Sequence, residues 1–139
     1  MKQQLSDQER HDLMTYRLQR AHETLAEIPH HLLCGYYATA VNRLYYACYY
    51  AAVALLIKFD VQPQTHSGVK TMLGLHFVSK GKLSREHGHT FATLFDKRHS
   101  GDYDDFAYCD REMVDELYPK AQAFVQAIEQ LVNDSNPIE

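Results

Sequence analysis

An all-α fold, an antiparallel up-and-down bundle of four long helices plus one short helix, is predicted by three features of this sequence. Apolar residues recur at spacings of three and four along most of the chain, side chains that cap helices stand at the starts of segments, and no period-two alternation bounded by turn residues appears. The chain is 139 residues long with 45% hydrophobic residues, enough for one core. We therefore read residues 1–139 as a single helical domain with its core from about residue 6 to residue 133.

Ser6-Asp7-Gln8-Glu9 forms a capping box, with Ser6 as N-cap and Glu9 reaching back to it. Met14, Leu18, Ala21, Leu25 and Ile28 follow as one apolar stripe, and Pro29 is expected to end this first helix. The second helix is expected from about Leu32 to Phe59; it is apolar nearly all round, which marks a central, enclosed element. "DVQPQ" breaks it. A shorter third helix carries Val69, Met72, Leu73, His76 and Phe77, and Gly81 closes it. Ser84 caps a fourth helix with Phe91, Leu94 and Phe95 inward. Asp110 caps the last, whose inward stripe is Val114, Leu117, Ala121, Phe124, Ile128 and Leu131. Pro119 lies inside that helix and is expected to kink or split it.

Composition narrows the function classes. A net charge of −4 argues against a general nucleic-acid coat protein, although it leaves room for a local basic face. Cys34, Cys48 and Cys109 are odd in number and lack Cys-x-x-Cys spacing, which suits reduced thiols. The N-terminal "MKQQLSDQERHD" has no apolar region that would serve as a secretory signal, so a cytoplasmic location is expected. The most apolar run, Leu44 to Ile57, is shorter than the roughly 20 residues that span a bilayer. Extending it backwards meets Asn42 and Arg43, so no membrane role is expected.

Nine histidines raise the question of a metal. Glu27-Ile-Pro-His30 and Glu86-His-Gly-His89 both read Glu-x-x-His, the pattern of di-iron bundles. One contains a proline at a helix end and the other lies in a first turn, and His87 and His89 do not share a helix face. No metal is expected. Nucleophile motifs and Gly-rich phosphate loops are absent too, and no cofactor is expected.

Chemistry concentrates in "TLFDKRHSGDYDDF", Thr93 to Phe106. Phe91, Leu94, Phe95 and Arg98 are spaced i, i+3, i+4, i+7, so Arg98 continues the apolar stripe toward the edge of the core. Gly101 is expected to let the chain turn just after it, bringing Asp102 and Tyr103 within reach of the guanidinium. Taken alone, the stretch reads first as a structural feature, an arginine facing the helix dipole and tied to an aspartate, since ion pairs at helix ends are common. On the second helix Thr39, Asn42, Tyr46 and Tyr49 share one face, with Arg43 and Tyr50 at its margin. A buried arginine and asparagine must be paired, either in a network that sets helix register or in a polar pocket that receives Arg98 and Asp102. His66, in "THSGVK", stands at a helix start, where backbone N–H groups favour an anion such as phosphate. Lys70, Lys80, Lys82 and Arg85, with Lys97 and Arg98, form a basic patch or simply a solvated face.

Together "AVNRLYYACYYAAVALL", "THSGVKTMLGLHFVSKGKLS" and "LFDKRHSGDYDDF" resemble the HEPN superfamily, and within it small prokaryotic members with an Asn-Arg-x-Tyr-Tyr-Ala core and an Arg-x-x-x-Asp-Tyr segment. The resemblance covers roughly Leu32 to Leu131. It implies an up-and-down bundle, often a homodimer, frequently paired with a small nucleotidyltransferase in toxin–antitoxin or defence systems. Many relatives are metal-independent ribonucleases, whose signature is an arginine on phosphate and, after four to six residues, a histidine for acid–base chemistry. Arg98 matches that arginine, but positions 103 to 105 are Tyr103, Asp104 and Asp105. The expected ligand is thus a nucleotide or an RNA phosphate, held by Asn42, Arg43, Tyr46, His66, Arg98 and Tyr103, with Asp102 alongside. An active endoribonuclease would draw its catalytic groups from Arg98, Asp102 and His66. A dimeric partner protein with a purely structural polar cluster is the third reading. In some pairs of this superfamily a tyrosine beside the motif accepts AMP, the part that Tyr103 would play here.

Overall fold

Three of the four long helices begin where a side chain takes up an otherwise orphaned backbone N–H. In this computed structural model residues 5–103 and 109–134 are described, the side chains of 99–103 excepted. Helix α1, Asp7–Ala26, opens with the full capping box: Glu9 N–H donates to Ser6 Oγ at 3.1 Å and Ser6 N–H to Glu9 Oε1 at 3.0 Å. Helix α2 is a short one, Ile28–Cys34, and α3 runs from Tyr37 to Lys58. Helix α4, His66–Leu73, continues into a π turn, Gly74–Val78. Helix α5, Arg85–Tyr103, starts at Ser84, whose Oγ accepts the His87 N–H at 3.1 Å. Asp110 caps α6, Arg111–Asn133, through Met113 N–H at 2.9 Å. Among the described residues there is no strand.

Contacts between the helices give the directions. Arg10 near the start of α1 meets Asp60 just past the end of α3, while Thr24 and Glu27 at the other end meet Arg43. Tyr45 on α3 packs on Phe91 and Phe95 of α5, and Asn42 shares a groove with Arg98, so these two also run antiparallel. His87 and Phe91 pack on Phe124, whereas Lys97 shares a groove with Asp110, which makes α5 and α6 antiparallel as well. The up-and-down bundle is therefore as expected. One cluster of buried residues fills it, and α3 supplies eleven of them, from Ala40 to Leu56. Helix α3 is 22 residues long, longer than its apolar run, and by length and composition could cross a membrane; 61% of that apolar window is buried in the bundle.

Several boundaries differ from the sequence expectation. Two short helices, not one, accompany the four long ones among the described residues. Pro29 opens α2 instead of merely ending α1, because its missing N–H costs nothing in a first turn. The chain then breaks at Gly35, whose φ of 74° is left-handed, so α3 starts at Tyr37 and not near Leu32. Helix α6 runs on through Pro119 without splitting. A proline inside a helix costs about 3 kcal/mol, whereas each fully buried Val, Leu, Ile or Phe contributes about 1.5–3 kcal/mol, and α6 buries Val114, Leu117, Phe124, Val125 and Ile128. The expected turn at Gly101 is absent too, since α5 continues to Tyr103. Glycine costs a helix only about 1 kcal/mol relative to alanine.

The far end of α6 is held by one lysine. Lys58 Nζ donates to the carbonyls of Leu131 at 3.1 Å and Val132 at 2.7 Å, and also to that of Asp134. These are C-terminal groups of α6 that the helix itself leaves unsatisfied, and the cation opposes the negative end of its dipole. Lys58→Met keeps the stem and removes the donors, so it should lower stability by about 1–2 kcal/mol. Urea denaturation followed by circular dichroism checks this, with an unchanged midpoint as the contrary result.

Candidate functional site

Tyr45 is the hub of the polar region. It is fully buried on α3, with its ring centroid 5.7 Å from that of Phe91 and 6.1 Å from that of Phe95. A buried phenol must find a partner. It finds one in His66, at 2.8 Å between the hydroxyl and Nδ1. Burial pushes the phenol pKa well above its usual value, outweighing the opposite pull of Arg98, so Tyr45 keeps its proton. His66 is the first residue of α4, placed there by Thr65, whose Oγ1 accepts the Gly68 N–H at 2.9 Å. That N–H is therefore occupied, and the anion site expected at this helix start is partly filled by the chain itself. Tyr49 stacks on the imidazole at 4.3 Å and 24°, and Tyr46 meets it edge-on at 5.9 Å and 89°. Three tyrosines thus set the orientation of the ring.

Arg98 reaches the same hub from α5. Its Cζ lies 5.3 Å from the Tyr45 centroid and 5.6 Å from the Phe95 centroid, both in cation–π range. Lys70 of α4 comes to the Phe95 ring as well, with Nζ at 5.1 Å. Beside Arg98 a groove of ≈ 270 Å³ opens between α3 and α5, lined by Thr39, Asn42, Lys97, Arg98 and Cys109. Among its described lining residues are two cations and no carboxylate. Burial raises the Cys109 thiol pKa, against the pull of Lys97, so a neutral thiol sits beside them. A guanidinium, an ammonium, an amide and a hydroxyl in one groove suit a phosphate or carboxylate, for which arginine provides a planar fork.

The structure brings Asn42 and Arg98 together in the groove, and gathers His66, Tyr46 and Tyr49 around Tyr45, which Arg98 also touches. Arg43 goes elsewhere. Its Nη2 donates to Glu27 Oε2 at 3.2 Å and lies 3.4 Å from Thr24 Oγ1, facing α1 and α2. The expectation that Arg43 backs the phosphate pocket is thereby corrected: it stands at the margin of its face, and the nearest carboxylate lies on the other side. Asp102 and Tyr103 belong to the last turn of α5, but their side chains lie outside the described residues. Tyr45, Phe95 and Lys97 were not among the site residues expected from sequence. The available signal was the spacing: Tyr45 sits three residues after Asn42, and Phe95 three before Arg98.

The Arg43 pair makes a measurable contribution of its own. Burial would raise the pKa of Glu27, but hydrogen bonds from Arg43 and His31 override it and hold the carboxyl below its usual value. A depressed carboxyl pKa stabilises the fold above the unfolded-state value and ceases to do so as pH falls through the folded one. With Arg43 24% and Glu27 39% exposed, the interaction is partly screened. Arg43→Ala should cost about 1 kcal/mol at pH 7 and less at pH 3. Urea midpoints at both pH values check it; an equal loss at both would mean packing, not charge.

Comparison with known proteins adds the lineage. Residues 14–131 match the HEPN domain family. A UPF0332 protein of Thermotoga maritima is 34% identical over 126 residues, covering 91% of this chain and 96% of that protein. A Methanocaldococcus jannaschii protein named "Putative toxin" is 32% identical over 98 residues, 70% of this chain and 72% of its own. A second protein of that organism with the same description is 28% identical over 101 residues, 73% of this chain and 69% of its own.

Proposed function

The chain belongs to the HEPN domain family, and from that premise we propose that its α3–α5 groove binds a phosphate of a nucleotide or RNA. In this reading it is a homodimeric HEPN member of a toxin–antitoxin or defence pair, with a nucleotidyltransferase as partner. Relatives that carry a toxin name support the first half. The observation that carries the ligand is the groove: Lys97 and Arg98 face Asn42 and Thr39 across it. The Arg98 guanidinium is braced on two aromatic rings, so less of its freedom remains to be lost on binding.

A ligand that binds only the folded state raises stability by RT ln(1 + [L]/Kd), about 1.4 kcal/mol at tenfold over Kd. AMP, ATP or a short single-stranded RNA at millimolar concentration should therefore raise the melting temperature. If none does, while a protein partner does, the polar cluster is structural and the partner-protein reading replaces this one.

The ribonuclease reading gains one observation, that His66 and Arg98 both touch Tyr45. Metal-free cleavage needs a base for the 2′-OH and a cation for the phosphorane. Nδ1 of His66 is engaged with the Tyr45 hydroxyl, which holds the imidazole beside the ring that carries Arg98. We expect the isolated protein to cleave labelled single-stranded RNA in EDTA weakly or not at all. Robust cleavage that Arg98→Ala abolishes would put the ribonuclease first. Without such cleavage, Tyr103 instead offers a hydroxyl that the partner could modify: its oxygen attacks the α-phosphate of ATP, pyrophosphate leaves and the phenol proton passes to solvent. Intact-mass spectrometry of wild type against Tyr103→Phe reads that transfer.

A further inference from the structure

We propose that the groove between the π turn and α5 is a base-binding subsite, so that the ligand of the phosphate site is a nucleoside monophosphate; this rests on the phosphate reading above. The groove holds ≈ 260 Å³, walled by Leu73, Gly74, Val78, Gly88 and Phe91. Its charged lining residues are Lys70 and Arg85, both exposed cations. Pockets for drug-sized ligands run from about 300 to 1,000 Å³. This one falls just below, and so takes a single ring system rather than a run of stacked bases. An apolar cleft with an aromatic wall and two cationic side chains among its lining residues complements a flat ring that carries an anion. A nucleotide has that form.

Two residues connect this groove to the phosphate site. Lys70 lines it, and its Nζ shares the Phe95 ring with Arg98, at 5.1 Å and 5.6 Å from the centroid. Phe91, on the groove wall, packs on Tyr45, whose ring also carries Arg98. From Phe91 to Arg98 the helix rises about 10 Å, a span covered by one nucleoside monophosphate and the reach of an arginine or lysine side chain. The π turn itself points the same way, since such turns occur frequently at functional sites. At Gly74 within it, a Cβ would meet nothing within 4 Å, so the turn leaves open space there.

Calorimetric titration of the full chain with AMP, GMP, ribose 5-phosphate and inorganic phosphate tests this. AMP or GMP should bind at least tenfold more tightly than ribose 5-phosphate. Gly74→Leu, which fills the open space, should reduce the nucleotides to the ribose 5-phosphate level and leave ribose 5-phosphate unchanged. Arg98→Ala should weaken all four. Equal binding of nucleotide and ribose 5-phosphate by wild type, both weakened in Arg98→Ala, overturns the base subsite while the phosphate reading stands. Binding that Arg98→Ala leaves untouched overturns the phosphate reading itself. Should Gly74→Leu fail to fold, nuclear Overhauser effects in wild type decide: transfer from the Leu73 and Val78 methyls to base protons supports the subsite. Bound AMP without that transfer overturns it.

Discussion

Tyr45→Ala is expected to lower the unfolding free energy by about 3–5 kcal/mol, the cost of emptying a large buried aromatic site. Tyr45 is 0% exposed and packs on Phe91, Phe95, Tyr46 and Tyr49, so truncation empties a site among packed rings. Tyr45→Phe removes only the hydroxyl and should cost about 1 kcal/mol, the price of one hydrogen bond to His66. The contrast between the two separates packing from hydrogen bonding. Urea denaturation measures both, and a Tyr45→Ala loss below 1 kcal/mol would show that this ring is not part of the core. The same alanine removes one of the two rings under Arg98, so ligand affinity should fall with stability, whereas Tyr45→Phe preserves that platform.

Arg98→Ala is expected to act strongly on binding. Hydrogen bonds to charged groups contribute about 1.5–3 kcal/mol, which corresponds to a loss of about 10- to 150-fold in affinity for a phosphate ligand. Arg98→Lys keeps the charge but not the planar fork, so it should recover only part of that loss. For an RNA ligand, each phosphate contact removed should lower the slope of log affinity against log salt by about 0.7. Fluorescence polarisation with a labelled RNA, at two salt concentrations, reads affinity and slope together. Unchanged affinity in Arg98→Ala would remove the α3–α5 groove from the function.

The candidate site was only half legible in the sequence. Arg98 and Asn42 were, because each interrupts an apolar helical stripe and a polar group there must be satisfied. Arg43 was misplaced, because a side chain at the margin of a face turns toward whichever partner is nearer. That partner, Glu27, lies sixteen residues back across the α2 insertion, whose existence the sequence pattern did not reveal. Tyr45 and Tyr46 are neighbours in the chain, and periodicity alone did not rank them. The position of α5 did: it buries Tyr45 completely and leaves Tyr46 partly exposed.

What the sequence by itself determined is the set of properties that arise within about four residues. The capping residues Ser6, Ser84 and Asp110 and the apolar stripes of the long helices follow from local spacing, since a cap needs only its own first turn. What only the tertiary structure decided is every outcome in which a local preference competes with burial. Pro119 stays helical because the apolar face of α6 outweighs one lost hydrogen bond, and α5 passes Gly101 because a glycine costs a helix little. His66 belongs to the Tyr45 cluster, and Arg98 rests on Tyr45 and Phe95, because three helices distant in the chain pack together there. A side chain's partner across such a junction depends on the packing, which no local pattern encodes.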